Sequence, residues 1–161
     1  MNVEIRRINF SHPESAHILV ELLDAYARDP MGGGHGLEPV VKSVLAGRLA
    51  EVPGAVGLLA YVAGEAAGLA TAFAGFSTFA ARPLLNIHDL AVLPLFRGRG
   101  VGQALLAELE QIAHERGCCK LTLEVLGNNQ IAQGAYRKFG FAPYALDEAA
   151  GVAQFWQKWL G

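Results

Sequence analysis

The chain has 161 residues, a length typical of one domain with a sizeable core. Its 13 basic and 15 acidic residues give a formal net charge of −2, which excludes the broadly basic surface that nucleic acids and anionic membranes require. We therefore expect no nucleic-acid or membrane partner. The N-terminus MNVEIRRINF lacks the apolar run of a signal peptide, so we expect a cytoplasmic protein. Cys118 and Cys119 have no metal-ligand spacing and are expected to be reduced.

The first part of the chain alternates strand and helix patterns. Residues 3–8 alternate apolar and polar residues, as an edge strand does. A helix follows, and a second is predicted over Val40 to Glu51, with a glycine-rich loop at 29–39 between them. The apolar face of the first helix is predicted to comprise Leu19, Leu22, Leu23 and Tyr26. The inward face of the second is predicted to comprise Val41, Val44, Leu45 and Leu49.

The segment from Gly54 to Ala81 is apolar enough to raise the question of a membrane span, because Glu65 is its only charge. Its five glycines at 54, 57, 64, 68 and 75 would weaken a helix. Gly64-Glu65 is typical of a two-residue hairpin turn between two strand-length runs. We therefore predict a buried β-hairpin.

The rest of the chain predicts further strands and helices. Residues 84–92 are apolar at nearly every position, as in a central strand, and a helix ending at Gly117 leads to a strand at 120–125. Together they form a right-handed βαβ unit. A short helix capped by Asn128 or Asn129 and two closing strands at 141–144 and 152–160 complete the pattern. The fold class is α/β, or α+β in stricter usage, in a single domain over residues 1–161.

The stretch FRGRGVG, residues 96–102, combines glycines and arginines before a run of helix formers. Glycines at the N-terminus of a helix let a phosphate approach unpaired backbone N–H groups and the positive end of the helix dipole. A Walker loop is excluded because no lysine follows the glycines. A dinucleotide fingerprint would need a third glycine where Gln103 stands, and too little chain remains for a doubly wound sheet.

A third interpretation accounts for both the loop and its surroundings. Arg97, Gly100 and Gly102 form the pattern R-x-x-G-x-G, which resembles the acetyl-CoA signature of the Gcn5-related N-acetyltransferases (GNAT). The resemblance covers residues 86–141. It includes the family's Asn-x-x-Ala-x-x-x-Tyr pattern, followed by Gly-Phe; these residues are Asn129, Ala132, Tyr136, Gly140 and Phe141.

The resemblance implies a mixed, mostly antiparallel sheet with a splayed central parallel pair and helices on both faces. Acetyl-CoA would be the co-substrate, its pantetheine arm pairing with the backbone of 90–92, and a backbone N–H near Leu90 would stabilise the oxyanion. The reaction would be direct attack by an amine, with no metal. The implied cofactor-binding residues are Leu90, Ala91, Val92, Arg97, Gly98, Arg99, Gly100, Val101, Gly102, Asn129, Ala132 and Tyr136.

The proton transfers need an acid for the departing thiolate and a base for the attacking ammonium. Tyr136 matches the family's tyrosine and is the predicted acid. His88 is the first candidate for the base, because an imidazole is able to accept a proton, and Glu124 is the second. Strict strand alternation would place His88 on the same face as Leu90 and Asp89 on the opposite face. Asp89 is expected to orient a neighbour.

The acceptor is predicted to be the primary amine of a small molecule, because nothing in the sequence indicates a long acidic groove for a protein tail. Asp29 would attract a cation, and Phe76 and Phe79 would form an apolar wall. Two alternatives stay open: a protein or peptide N-acetyltransferase, and a non-catalytic acyl-CoA-binding sensor. The apolar C-terminus FWQKWL would cover a sheet edge within the monomer or join a homodimer.

Overall fold

The computed structural model describes residues 2–161 and contains a five-stranded sheet in the order β1-β2-β3-β4-β5. The strands are β1 (Val3–Arg7), β2 (Val56–Val62), β3 (Glu65–Ser77), β4 (Arg82–Val92) and β5 (Leu121–Leu123). The α-helices are α1 (Pro13–Arg28), α2 (Pro39–Ala50), α3 (Val101–Glu115) and α4 (Gln130–Phe139). Neighbouring strands are antiparallel except for β4 and β5, which are parallel. The predicted fold class is confirmed.

The chain divides into two compact units, the first ending at Leu123 and the second running Glu124–Gly161. The sheet, α1, α2 and α3 belong to the first unit, and α4 belongs to the second. The prediction of a single domain over all 161 residues stays a prediction.

The core of the first unit lies on both faces of the sheet. On one face, α1 packs Leu19, Leu22 and Leu23 against Leu59 and Leu69 of the hairpin. On the other face, α3 contributes an apolar stripe at helical spacing, from Val101 through Leu105 and Leu109 to Ile112, all buried. This packing fixes the N-terminus of α3 beside the end of β4.

The predicted hairpin is confirmed, with its turn one residue earlier than expected. Val62 pairs with Glu65, so the two turn residues are Ala63 and Gly64. Both have positive φ, 51° and 83°, as a type I′ turn requires. Within residues 2–161 no helix is both long enough and apolar enough to span a membrane.

The prediction of the inward face of α2 is confirmed for two of its four residues. Leu49 is buried and Leu45 is partly buried against the core, whereas Val41 and Val44 are exposed, as is Val40 beside them. The helix packs against α1, and periodicity identified its apolar positions but not how many of them are covered.

The two closing strands are also not present as predicted. Within residues 124–161 the only strand pairing is a bridge between Ala145 and Val152. The aromatic side chains of the last segment, Phe155, Trp156 and Trp159, are exposed. Because a strand is stabilised by its partner, β-forming residue types alone do not produce one.

Candidate active site

The parallel pair of strands separates along its length. β4 and β5 pair only from Leu85–Leu121 to Ile87–Leu123, and β5 ends there while β4 continues to Val92. The last five residues of β4, 88–92, therefore have no partner on β5. This is the splay that the family resemblance implies, and it leaves backbone groups of 90–92 on that edge without a β5 partner.

A β-bulge in β4 determines which side chains surround this edge. Thr71 pairs with Asp89 and the next residue of β3, Ala72, pairs with Ile87, so His88 is the extra residue. A one-residue insertion reverses the alternation beyond it. Asp89 therefore lies on the face of the sheet that α1 covers, and Leu90 lies on the opposite face. The alternation predicted from the sequence is wrong after residue 87.

Four side chains form two contacts around the bulge. The buried Thr71 hydroxyl donates a hydrogen bond to the Asp89 carboxylate. The exposed His88 ring meets Phe73 edge-on, with ring centroids 5.4 Å apart. Residues 88 and 89 thus present an imidazole and a carboxylate beside an aromatic ring, a combination suited to an organic cation.

Tyr26, near the end of α1, completes this cluster. Burial raises the pKa of Tyr26, and the negative charges of Asp89 and then Asp29 raise it further. The hydroxyl is therefore a neutral donor throughout the physiological pH range. Helical periodicity placed Tyr26 on the inward face, but only the bulge, invisible in the sequence, brings Asp89 to it.

The predicted phosphate loop has the backbone that an anion site needs. Gly98 and Gly100 have φ of 74° and 82°, a conformation that favours glycine, and Gly100 is the N-cap of α3. Glycine at the N-cap supplies no side-chain oxygen to the first-turn N–H groups, so these groups and the helix dipole are available to a phosphate.

Gly102 is the third glycine and has a different role. A Cβ there would meet only Val92, at an ordinary 3.8 Å, and the residue is helical. Neither backbone strain nor protein packing therefore requires glycine at 102. The space beside the first turn of α3 is therefore open at this position.

The loop contains two arginines. Arg97 donates from Nε to the carbonyl oxygen of Val92 at 3.1 Å and from Nη2 to Asp29 at 2.8 Å. The Arg99 guanidinium lies 5.8 Å from the centre of the buried Phe96 ring. The side chains of both arginines are exposed at the N-terminus of α3, where they add positive charge to that of the helix end.

The glycine-rich loop between α1 and α2 is anchored by two aspartates. Asp29 accepts a hydrogen bond from the Met31 N–H, and its pKa is lowered first by Arg97 and then by this bond. Asp24 is buried and accepts from the Leu37 N–H at 2.7 Å. It also pairs with Arg28 and Lys42, each at 3.1 Å, and it was not identified from the sequence.

An open groove of about 740 Å³ runs over this anchored loop between α1 and α2. It includes Arg28, Leu37 and Lys42, the partners of Asp24, but none of Tyr26, Asp89 and Arg97. The groove therefore does not coincide with the cluster at the bulge.

The predicted acceptor residues are dispersed in the first unit. Asp29 lies close enough to Tyr26 to affect its pKa. Phe76 is exposed and five residues along β3 from Thr71, about 17 Å at strand spacing. Phe79 is 96% exposed in the turn that follows β3. The aromatic ring at the bulge is instead Phe73, which sequence reasoning did not select.

The remaining predicted residues belong to the second unit. Asn129 is the N-cap of α4, and its side chain accepts from the Ala132 N–H at 3.1 Å, which accounts for the asparagine of the Asn-x-x-Ala pattern. Glu124 is exposed just after β5. Gly140, with φ of 108°, ends the helix. The Phe141 N–H then bonds to the Tyr136 carbonyl, and the two rings meet edge-on at 5.9 Å.

No group of three or more potential metal ligands occurs among residues 2–161. The first unit thus combines a backbone edge that β5 leaves uncovered, a glycine-rich helix N-terminus with two arginines and a cluster of acidic and aromatic groups. Such an arrangement can hold a phosphorylated acyl donor and present a cationic nucleophile to it.

Comparison with known proteins identifies the family. The sequence profile described as "Acetyltransferase (GNAT) family" matches residues 18–141, and this chain therefore belongs to the GNAT family of acetyltransferases. Acetyl-CoA is the co-substrate of that family. The predicted family is confirmed.

Relatives and solved structures agree with this assignment. Streptothricin acetyltransferase of Streptomyces lavendulae is 42% identical over 89 residues, which are 55% of this chain and 47% of that protein. The chain thus matches about half the length of this relative.

Two solved structures show the same fold. An aminoglycoside acetyltransferase, meta-AAC0020 from an uncultured soil metagenomic sample, in complex with sisomicin, has a TM-score of 0.75 and 18% identity, covering 98% of this chain and 97% of that one. AAC(6')-Iy in complex with a bisubstrate analogue, CoA-S-monomethyl-acetylneamine, has a TM-score of 0.72 and 22% identity, covering 99% and 100%.

Proposed function

We propose that this protein transfers the acetyl group of acetyl-CoA to a primary amine of a small, cationic molecule by direct attack. The observation that carries the proposal is the bulge at His88. It directs Asp89 toward Tyr26 while the adjoining backbone of 90–92 lies on the edge of β4 that β5 leaves uncovered. One short segment thereby serves both reactants.

Acetyl-CoA binding rests on the loop at 97–102. The pyrophosphate accepts hydrogen bonds from the N–H groups of the first turn of α3, and the space left by Gly102 admits its oxygens. Arg97 and Arg99 supply the compensating charge. The pantetheine arm then pairs with the backbone of 90–92, and an N–H near Leu90 polarises the thioester carbonyl.

The acceptor amine binds as an ammonium ion at the bulge. Asp89 provides the negative charge, Thr71 holds that carboxylate in place, and Tyr26 offers a hydroxyl beside it. The rings of His88 and Phe73 cover the apolar part of the acceptor. Two of the similar proteins are named for streptothricin and aminoglycosides, which supports a small-molecule acceptor.

The chemical step forms a carbon–nitrogen bond and breaks a carbon–sulfur bond. The ammonium first loses a proton, to His88 directly or through water, because a primary amine with a pKa near 10 arrives protonated. The neutral amine attacks the carbonyl carbon, and the oxyanion is stabilised by the backbone N–H. The intermediate collapses as the nitrogen releases its second proton to water and the thiolate of CoA leaves. The thiolate is then protonated, a role that the family pattern assigns to Tyr136. Glu124 is the second candidate for the base.

A thermal-shift comparison of acetyl-CoA, NADH and ATP tests the proposal. A ligand present at 100 times its Kd adds about 2.7 kcal/mol to the free energy of unfolding, which raises Tm by several degrees. Stabilisation by acetyl-CoA alone is expected, followed by acetyl transfer in a screen of amines that includes aminoglycosides and peptide N-termini. Stabilisation by NADH instead, or acetylation of peptides alone, would contradict the proposal.

A further inference from the structure

The ion pair between Arg97 and Asp29 connects the two halves of the proposed site. Arg97 belongs to the phosphate loop, and Asp29 lies at the end of α1, close to Tyr26. We propose that Arg97 exchanges partners, leaving Asp29 for the pyrophosphate when acetyl-CoA binds, so that Asp29 becomes an acceptor-binding carboxylate only in the acetyl-CoA complex. The inference rests on the proposed function and adds a coupling between its two substrates.

Asp29 is held in place independently of Arg97. Its Oδ1 accepts from the Met31 N–H at 2.9 Å. Its carbonyl oxygen accepts from the N–H groups of Gly32 and Gly34, and its own N–H bonds to the carbonyl of Tyr26. A Cβ at Gly32 would lie 1.9 Å from that same Tyr26 oxygen, so the loop fits tightly against the end of α1. Asp29 therefore stays where it is when its ion pair is broken.

Arg97 is the movable partner. Its side chain is 53% exposed, and it contacts Asp29 through one nitrogen, Nη2, and Val92 through Nε. An exposed ion pair with a single contact is weak. A pyrophosphate carries more negative charge than one carboxylate and accepts the guanidinium in a bidentate fashion, so it competes effectively for Arg97.

The exchange changes the charge beside Tyr26. In the free protein the Asp29 carboxylate is neutralised by Arg97, and its pKa is lowered accordingly. Once Arg97 turns to the pyrophosphate, Asp29 and Asp89 are both uncompensated near one hydroxyl. An ammonium group is then attracted more strongly, and by linkage the amine strengthens acetyl-CoA binding by the same factor.

The proposal makes an unusual prediction about the co-substrate. Because Asp29 competes with the pyrophosphate for Arg97, Asp29→Asn should tighten CoA binding, by about threefold for an ion pair of this exposure. Asparagine keeps the oxygen that accepts from Met31, so the loop stays capped. If Asp29 instead positioned Arg97 for the phosphate, the same substitution would weaken CoA binding.

Isothermal titration calorimetry with CoA at low ionic strength measures the change in CoA affinity that Asp29→Asn causes. Glu51→Gln is the matched control, since it removes one negative charge from another exposed ion pair, Arg48–Glu51. Tighter binding by Asp29→Asn than by Glu51→Gln, with the difference lost in an Arg97→Gln background, is the expected result. Equal or weaker binding by Asp29→Asn, or a difference that persists without Arg97, would overturn the exchange while leaving the proposed function intact. Failure of the unaltered protein to bind CoA would remove both.

Discussion

Thr71 and Asp89 face each other across β3 and β4, and the buried Thr71 hydroxyl donates a hydrogen bond to the Asp89 carboxylate. This pairing exists because the bulge at His88 turns Asp89 toward the face covered by α1. A carboxylate held by a buried hydroxyl beside Tyr26 has a fixed position, which is what recognition of an ammonium group requires.

We expect Asp89→Asn to lower kcat/KM for the cationic acceptor about 10- to 100-fold, as the loss of a charged hydrogen bond does. Steady-state kinetics with the best amine from the acetylation screen measure the loss. The affinity for CoA should change no more in Asp89→Asn than it does in Glu51→Gln. An equal loss of CoA affinity would assign Asp89 a structural role in β4.

The base is tested at His88. Histidine accepts a proton only in its neutral form, so activity that depends on it rises with pH through the neutral range. We expect His88→Gln to remove that rise from the pH profile of kcat/KM. The side chain is exposed, so folding should be unaffected. An unchanged profile would transfer the role to Glu124 or to water, and Glu124→Gln distinguishes these two.

Substitution of Gly102 distinguishes an effect on ligand binding from an effect on protein stability. We expect Gly102→Ala to leave the free energy of unfolding unchanged or raise it by up to about 1 kcal/mol, and Tm with it, because alanine is the better helix residue. Its methyl group should weaken acetyl-CoA binding about tenfold, a typical effect of overpacking. Gly47→Ala in α2, where a Cβ would meet nothing within 4 Å, is the control and should raise Tm without affecting acetyl-CoA binding. A Gly102→Ala protein with full affinity would contradict the proposed position of the phosphates.

An ion-pair cluster between β1 and α3 predicts how stability depends on pH. Arg7 contacts Glu108 at 2.6 Å and Glu115 at 2.7 Å. The hydrogen bonds from Arg7, followed in size by the one from Gln111, lower the pKa of Glu115 from 4.5 to about 2. Because the pKa is lower in the folded state, the stabilisation is complete above about pH 4.5 and disappears as the pH falls toward 2.

Thermal unfolding of Glu115→Gln checks that dependence. The Tm of the variant should be lower than that of the unaltered protein at neutral pH, and the two should converge as the pH approaches about 2. Glu51→Gln, in an exposed pair within one helix turn, should show a smaller difference at neutral pH. A Glu115→Gln difference that stays constant with pH would exclude the ion pair as its source.

Tyr136 is predicted to protonate the departing thiolate. We expect Tyr136→Phe to lower kcat about 100-fold or more, because phenylalanine keeps the ring contact with Phe141 but has no proton to donate. Pre-steady-state measurement of CoA release gives the rate of the chemical step. Unchanged turnover would remove Tyr136 as the acid and leave its ring as a packing element of α4.

Several features followed from the sequence because their causes are local. Glycines that require positive φ marked the loop at Gly98 and Gly100, and helical spacing marked the buried face of α3. Asn129 and Gly140 begin and end α4 through contacts within a few residues. The family motifs lie in these segments, which is why the family was identified before any tertiary contact was known.

Other features depended on contacts between distant segments. The bulge at His88 arises from the register between β3 and β4, and it reversed the predicted orientation of Asp89. Strand pairing likewise decided that the last aromatic segment forms no regular strand within 124–161. The Arg97–Asp29 pair joins residues 68 positions apart. Residue type and periodicity thus determined most of the helices and strands and the chemical character of their side chains. The tertiary structure alone decided which charged groups meet, because register and packing are set by the whole sheet and not by any one segment.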